Sequence, residues 1–137
     1  MRHATLLSIW IVLVIWGLSS FCTGLAAAPP QNYQELKTQA EALYFQGSYG
    51  RANALYAQAI AMDLSNDDKR WVNFRIADTL WRSQAGTQTA DSSIYDKARA
   101  QLEEVIRPTE RAEDRDVIWA EAQQSLGDFF WTRRESL

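Results

Sequence analysis

The segment from residue 45 to residue 64, FQGSYGRANALYAQAIAMDL, alternates small and aromatic side chains at helical spacing. Tyr49 and Tyr56 lie two helical turns apart, as do Ala52 and Ala59, so each pair falls on one face of a helix. Alanines let two helices approach closely, and the tyrosines fill the gaps beside them. Gly47 permits a tight turn before this helix. The segment therefore predicts the second helix of a closely packed helical hairpin.

The chain beyond Pro30 keeps helical spacing, and no run alternates with the period of two that is typical of a strand. Asn32 followed by Glu35 predicts an N-cap with a reciprocal acid. The residues AGTQTAD at 85–91 predict a loop, and the charged stretch TERAEDRD at 109–116 either begins the last helix or leads into it. We therefore predict an all-α chain whose helices run from Asn32 to about Gln46, from Ser48 or Tyr49 to Met62 or Asp63, from Asn66 to Gln84, from Ser92 to Ile106, and through Ile118 to Trp131.

The residue types that carry most enzyme chemistry are almost missing. Cys22 is the only cysteine and His3 the only histidine, so the chain after the N-terminal segment has no thiol nucleophile, imidazole base, disulfide or His/Cys metal cluster. The net charge is −3, and without Arg2 there are 13 basic against 17 acidic residues. Nucleic-acid binding needs a basic stripe, which this balance does not favour. We expect a protein that is not an enzyme and has no metal or cofactor.

The N-terminal segment 1–28 has a basic start at Arg2, an apolar run over 6–18 and a small-residue stretch that ends in AAA. This is the pattern of a secretory signal peptide, and cleavage before Ala27 would suit its small residues. An uncleaved single-pass anchor is the alternative, and lipidation of Cys22 is disfavoured because Phe21 precedes it. In both cases we expect the bulk of the chain outside the cytoplasm, in the periplasm or at the extracytoplasmic face. Residues 29–32 then form a linker, and 33–137 form the helical domain.

Residues 33–66 resemble the tetratricopeptide repeat (TPR), a helical hairpin of about 34 residues. The small residues of that motif correspond to Ala40, Ala52 and Ala59, and Gly47 corresponds to its turn glycine. Leu43, Tyr49 and Tyr56 occupy its large apolar positions. Leu64 stands where the family usually has proline, and Gln39 where it has a large apolar residue. The resemblance implies a solenoid of helical hairpins, and we expect about two and a half repeats over 33–134, after an N-terminal apolar helix.

The later units are less regular. Ala77 and Leu80 fit the first helix of a second unit, but Tyr95 and Ala98 come late, so the loop at 86–91 is an insertion. The residues LGDFFWTRR echo IADTLWRSQ at a spacing of 50, which makes Gly127 the small residue of a third first helix. A second register aligns AEA at 120–122 with AEA at 40–42 and makes Gly127 a turn glycine.

The third unit has no partner helix. We expect the domain to be truncated at its C-terminus, as a fragment of a longer protein; a partner that supplies the missing helix and a self-associating edge are the alternatives. The amino-acid sequence of helices three to five also resembles the helical leader of large exported bacterial proteins, such as macroglobulin-like proteins.

The TPR resemblance implies a concave groove lined by the first helix of each unit. An acid and an aromatic residue recur there in every unit, and this pattern suits an extended peptide or helix that carries Lys, Arg or amide groups. The candidate groove residues are Glu41, Tyr44, Phe45, Asp78, Trp81, Arg82, Asp128 and Trp131.

We therefore expect a non-catalytic protein–protein interaction module. Its partner would be a protein or peptide and not nucleic acid, with membrane contact through an uncleaved N-terminal segment and self-association through the exposed terminal helix. One alternative is a structural leader of a larger envelope protein that docks on its own downstream domains. Another is an envelope glycan binder that uses tryptophans and carboxylates.

Overall fold

The computed structural model describes residues 30, 32–85, 87, 92–107 and 115–135. Within these ranges every regular element is a helix, which confirms the predicted all-α class. The helices are α1 (Tyr33–Phe45), α2 (Tyr49–Ala59), α3 (Asn66–Ala85), α4 (Ser92–Ile106) and α5 (Val117–Glu135).

The predicted signal peptide or anchor at 1–28 lies outside the described residues, as do most of the loop at 86–91 and most of the charged stretch before α5. None of the described helices combines the length and the apolar composition that crossing a bilayer requires.

The first hairpin forms where its local signals predict it. The side-chain oxygen of Asn32 accepts a hydrogen bond from the backbone N–H of Glu35 at 2.9 Å, and its amide donates to the Glu35 carboxylate at 2.9 Å. This N-cap satisfies a backbone donor that the helix itself leaves free. At the other end of α1, Gly47 has a φ of +73°, a left-handed conformation that suits glycine. The next residue, Ser48, then leads directly into α2.

The end of α2 and the start of α5 differ from the prediction. Helix α2 ends at Ala59 rather than near Met62, because the Met62 N–H donates to the Ala59 carbonyl at 2.9 Å in a tightened last turn. Helix α5 begins at Val117, and its first turn is capped by Asp116, whose carboxylate accepts from the Trp119 N–H at 2.8 Å. This cap was not predicted from the sequence, where Asp116 is one of several acids in a charged stretch.

Each helix packs against the next one in the chain, and α3 also packs against α5. The long helix α3 therefore contributes to two cores. One lies between α1, α2 and the start of α3, and its buried members are Leu36, Ala40, Ala52, Tyr56, Ala59, Leu64 and Val72. The other lies between α3, α4 and α5, and its buried members are Phe74, Ala77, Trp81, Tyr95, Ala98, Leu102, Val105, Ala122 and Phe129.

Gly127 lies inside α5, and its φ is not positive. The register that made it a turn glycine is therefore wrong. A Cβ atom added at Gly127 would meet nothing within 4 Å, so packing among the described residues does not require a glycine there.

Asp116 couples the α5 cap to α3, because its carboxylate also pairs with Arg70. Burial opposes ionisation of Asp116, but the hydrogen bonds from Arg70 and the Trp119 N–H outweigh it and hold the pKa below its usual value. We predict that Asp116→Ala lowers the free energy of unfolding by about 1 kcal/mol at pH 7, the usual cost of losing a cap. Urea unfolding followed by circular dichroism measures the loss.

The sign of the pH dependence follows from the depressed pKa. The carboxylate stabilises the fold above its ordinary pKa of 3.8, and this contribution is lost as the pH falls through the lower folded-state value. The difference between Asp116→Ala and the unmodified chain should therefore shrink in that acidic window. Asp96→Ala, at an exposed position of α4, is the matched control. A gap that stays constant down to the most acidic pH would contradict the assigned role.

Candidate functional site

Side chains from α1, α3 and α5 meet on one surface of the protein, which we call the odd-helix face. Its charged and aromatic members contact one another between the helices. They are Lys37, Glu41 and Tyr44 of α1, Trp71, Arg75 and Arg82 of α3, and Glu121 and Asp128 of α5.

Arg75 joins all three helices. Its Nη2 lies 3.0 Å from a Glu41 carboxylate oxygen on α1 and 3.8 Å from a Glu121 oxygen on α5. The guanidinium carbon also lies 4.5 Å from the centre of the Tyr44 ring, within the range of a cation–π contact. The Glu41 carboxylate accepts a further hydrogen bond from the Tyr56 hydroxyl on α2. Arg75 is therefore fixed between two carboxylates and an aromatic ring.

Arg82 repeats this arrangement two turns further along α3. Its Nε donates to Asp78 at 2.8 Å, and its Nη2 donates to Asp128 of α5 at 3.0 Å. Its guanidinium carbon lies 4.4 Å from the Trp81 ring centre. Burial would lower the pKa of Arg82, but Asp78 and Asp128 outweigh burial and raise it. The arginine therefore stays charged, and it is shared between two acids.

Beneath Arg82 lies a buried polar chain. The Trp81 indole N–H donates to the Ser125 hydroxyl at 2.9 Å, and that hydroxyl donates to the Asp78 carboxylate. Asp78 is 0% exposed and Trp81 2% exposed. The expectation that both side chains line an open groove is corrected here, since α5 covers them and they connect α3 to α5 from inside.

Tyr44 and Tyr56 of the first hairpin carry neutral hydroxyl groups. Burial and the negative charge of Asp78 raise the pKa of Tyr44 to about 12. Burial, with the hydrogen bond to Glu41, also raises the pKa of Tyr56. Both phenols therefore keep their protons at physiological pH, and Tyr44 remains a half-buried ring with a polar tip on the odd-helix face.

The other two aromatic candidates are exposed. Phe45 is 80% exposed at the end of α1, where its ring meets Tyr44 edge-on at 5.9 Å. Trp131 is 63% exposed on α5. Of the predicted groove residues, the structure brings Glu41 and Tyr44 together through Arg75, and Arg82 and Asp128 through their ion pair.

The carboxylates of the odd-helix face are paired within the protein. Four acids, Glu41, Asp78, Glu121 and Asp128, share two arginines that belong to the protein itself. The central one, Arg75, was not among the predicted groove residues, although it lies two helical turns before Arg82 and so on the same face of α3. No sequence signal marked Ser125, whose role depends on how α5 packs on α3.

Within the described ranges, no three His, Cys, Asp or Glu side chains are placed so that they could hold a metal ion. No family model matches the chain, and neither the curated proteins nor the solved structures include a significant match.

The internal echo between Trp81 and Trp131 provides a matched pair for testing burial. We predict that Trp81→Ala lowers the free energy of unfolding by roughly 3–5 kcal/mol, the usual cost of removing a buried tryptophan. Trp131→Ala should change it by less than about 1 kcal/mol, because this ring is mostly exposed. Urea unfolding at low protein concentration measures both values. Equal losses for the two variants would contradict the burial of Trp81.

Proposed function

We propose that the chain is a non-catalytic protein-interaction module, built from TPR-like helical hairpins, whose odd-helix face receives an extended peptide. In this proposal α1 with α2, and α3 with α4, are successive hairpins, and α5 is the first helix of a third. The buried alanines at 40, 52, 59 and 77 support the arrangement, because each occupies a position where that repeat type needs a small residue. Residues 1–28 would export the module or anchor it to a membrane.

One observation carries the proposal, namely the repeated acid–arginine–acid pairing across the odd helices. Arg75 is shared by Glu41 and Glu121, and Arg82 is shared by Asp78 and Asp128. In each triad the α5 acid is the more exposed, with 43% of the Glu121 side chain and 45% of the Asp128 side chain accessible. Because each arginine is divided between two acids, these outer carboxylates keep oxygen atoms that can accept hydrogen bonds from a ligand.

The spacing of the two outer carboxylates suggests the ligand. Glu121 and Asp128 lie two turns apart on α5, a rise of about 10 Å. A polyproline II segment advances about 3.1 Å per residue and returns to the same face every third residue, which places side chains i and i+3 about 9 Å apart. We therefore infer a peptide with Lys or Arg at positions i and i+3. Tyr44 and Trp71 border the same surface and offer apolar contact to the methylene groups of these Lys or Arg side chains.

A direct test uses a labelled proline-rich peptide with Lys at i and i+3, titrated with the full chain and followed by fluorescence anisotropy. We predict that Glu121→Gln with Asp128→Asn weakens binding by about tenfold, because two charge-assisted hydrogen bonds become neutral ones. Binding should also weaken as the salt concentration rises.

Two controls make the result specific. Asp96→Asn with Glu103→Gln removes two exposed acids at the same seven-residue spacing on α4, and it should leave binding unchanged. A peptide with Glu in place of both Lys residues should bind much more weakly. Equal binding of the acidic and basic peptides, or equal affinity of the unmodified chain and the α5 double variant, would overturn the proposal.

A further inference from the structure

A cavity of about 470 Å³ lies between the start of α3 and the end of α4, and we call it the α3–α4 cavity. This size suits a small organic molecule, since ligand sites in proteins usually measure about 300–1,000 Å³. Val105 is the one apolar residue among the described residues that line the cavity. The others are charged or carry an amide, and they are Asn66, Lys69, Arg70, Asn73, Gln101 and Glu104.

Arg70 brings two unpaired donors to this cavity. The Nη1 atom of its guanidinium is already bound by the Asp116 carboxylate. The Nε and Nη2 atoms are buried, and neither finds a hydrogen-bond acceptor in the part of the chain that the structure describes. These two N–H groups lie on the same side of the planar guanidinium. Together they form a fork that matches the two oxygen atoms of a carboxylate.

Gln101 adds an unpaired acceptor from the α4 side of the cavity. Its side-chain oxygen, Oε1, is buried and has no hydrogen-bond donor among the described residues. Buried polar atoms without a partner are costly and therefore uncommon in folded proteins. Three such atoms belong to two residues that line one cavity. A ligand that satisfied them would need an acceptor for the Arg70 fork and a donor for Gln101.

We propose that the α3–α4 cavity binds an α-carboxylate together with the nitrogen next to it, the group found in free amino acids and at the C-termini of peptides. The carboxylate accepts hydrogen bonds from Nε and Nη2 of Arg70. The neighbouring N–H donates to Oε1 of Gln101. The Arg70 side chain is 25% exposed, so a small rotation brings its fork into contact with a ligand in the cavity.

The charges around the cavity favour a ligand group with a single negative charge. Lys69 and Arg70 are basic, but Glu104 also lines the cavity, and Arg70 is already shared with Asp116. A phosphate dianion would bring more negative charge close to these two acids. Its ionised oxygen atoms would also offer no donor to Gln101. A carboxylate beside an N–H group satisfies both residues.

The test uses the full chain in a neutral detergent and follows the backbone amide signals of residues 66–73 and 101–105 by NMR during titration. Four compounds separate the parts of the ligand. N-acetylalanine carries a carboxylate beside an amide N–H, and alanine carries one beside an ammonium. Acetate has the carboxylate alone, and inorganic phosphate is the other anion.

We predict that N-acetylalanine or alanine binds about fivefold or more tightly than acetate, because the hydrogen bond to Gln101 is added. The same compound should bind more tightly than phosphate. Tighter binding of N-acetylalanine would identify a peptide C-terminus as the ligand, and tighter binding of alanine a free amino acid. Equal affinity for the preferred compound and acetate, tighter binding of phosphate, or no binding of either alanine compound would overturn the proposal.

Arg70→Lys tests the fork. Lysine keeps the positive charge beside Asp116 but cannot present two parallel N–H groups to a carboxylate. The dissociation constant of the preferred compound should therefore rise by about tenfold. Arg99→Lys, at an exposed position of α4, is the matched control and should leave it unchanged. An affinity that is the same in both variants would contradict the role of Arg70.

Gln101→Met tests the acceptor, because methionine has a similar length and volume but no carbonyl oxygen. The preference for the chosen compound over acetate should fall from about fivefold to about equal. Gln58→Met, at an exposed position of α2, should keep the preference, and a preference that Gln101→Met also keeps would overturn the assignment. All these variants leave Glu121 and Asp128 in place, so this proposal and that of the odd-helix face can fail independently.

Discussion

The shared arginines of α3 are the interaction on which the arrangement of the odd helices depends. Arg75 and Arg82 each bind two carboxylates. Only 11% of the Arg75 side chain and 21% of the Arg82 side chain are exposed. Partly buried charges of this kind are tolerated because several acceptors surround them, and removing one partner leaves the other uncompensated. The buried chain from Trp81 through Ser125 to Asp78 fixes the geometry of the second arginine. The surface charge pattern is therefore a consequence of helix packing.

Local signals predicted most of the helices, and packing decided the rest. The Asn32 cap and the turn at Gly47 could be located from sequence because each depends on residues within one turn. The early end of α2 could not, because it follows from hydrogen bonds that tighten the last turn after Ala59. The cap at Asp116 was hidden among several acids in one charged run, and its pairing with Arg70 is a contact between distant helices.

The candidate site, like the helices, could be predicted from local sequence signals only in part. Helical periodicity assigned Asp78 and Asp128 to equivalent faces of α3 and α5, and Trp81 and Trp131 likewise. Their environments nevertheless differ, since Trp81 is 2% exposed and Trp131 63% exposed. Periodicity places a residue on a face of a helix, but the neighbouring helix decides whether that face is surface or core. Helix α5 covers the face of α3 that carries Trp81, and no described helix covers the face of α5 that carries Trp131.

This difference separates two surfaces of α5 that the sequence alone presents as one. On the side of α3, Glu121 and Asp128 keep charged atoms accessible, so a basic ligand there is attracted by charge, and added salt weakens that attraction. On the outer side, Val117, Gly127 and Trp131 belong to an exposed stripe that carries no charged side chain.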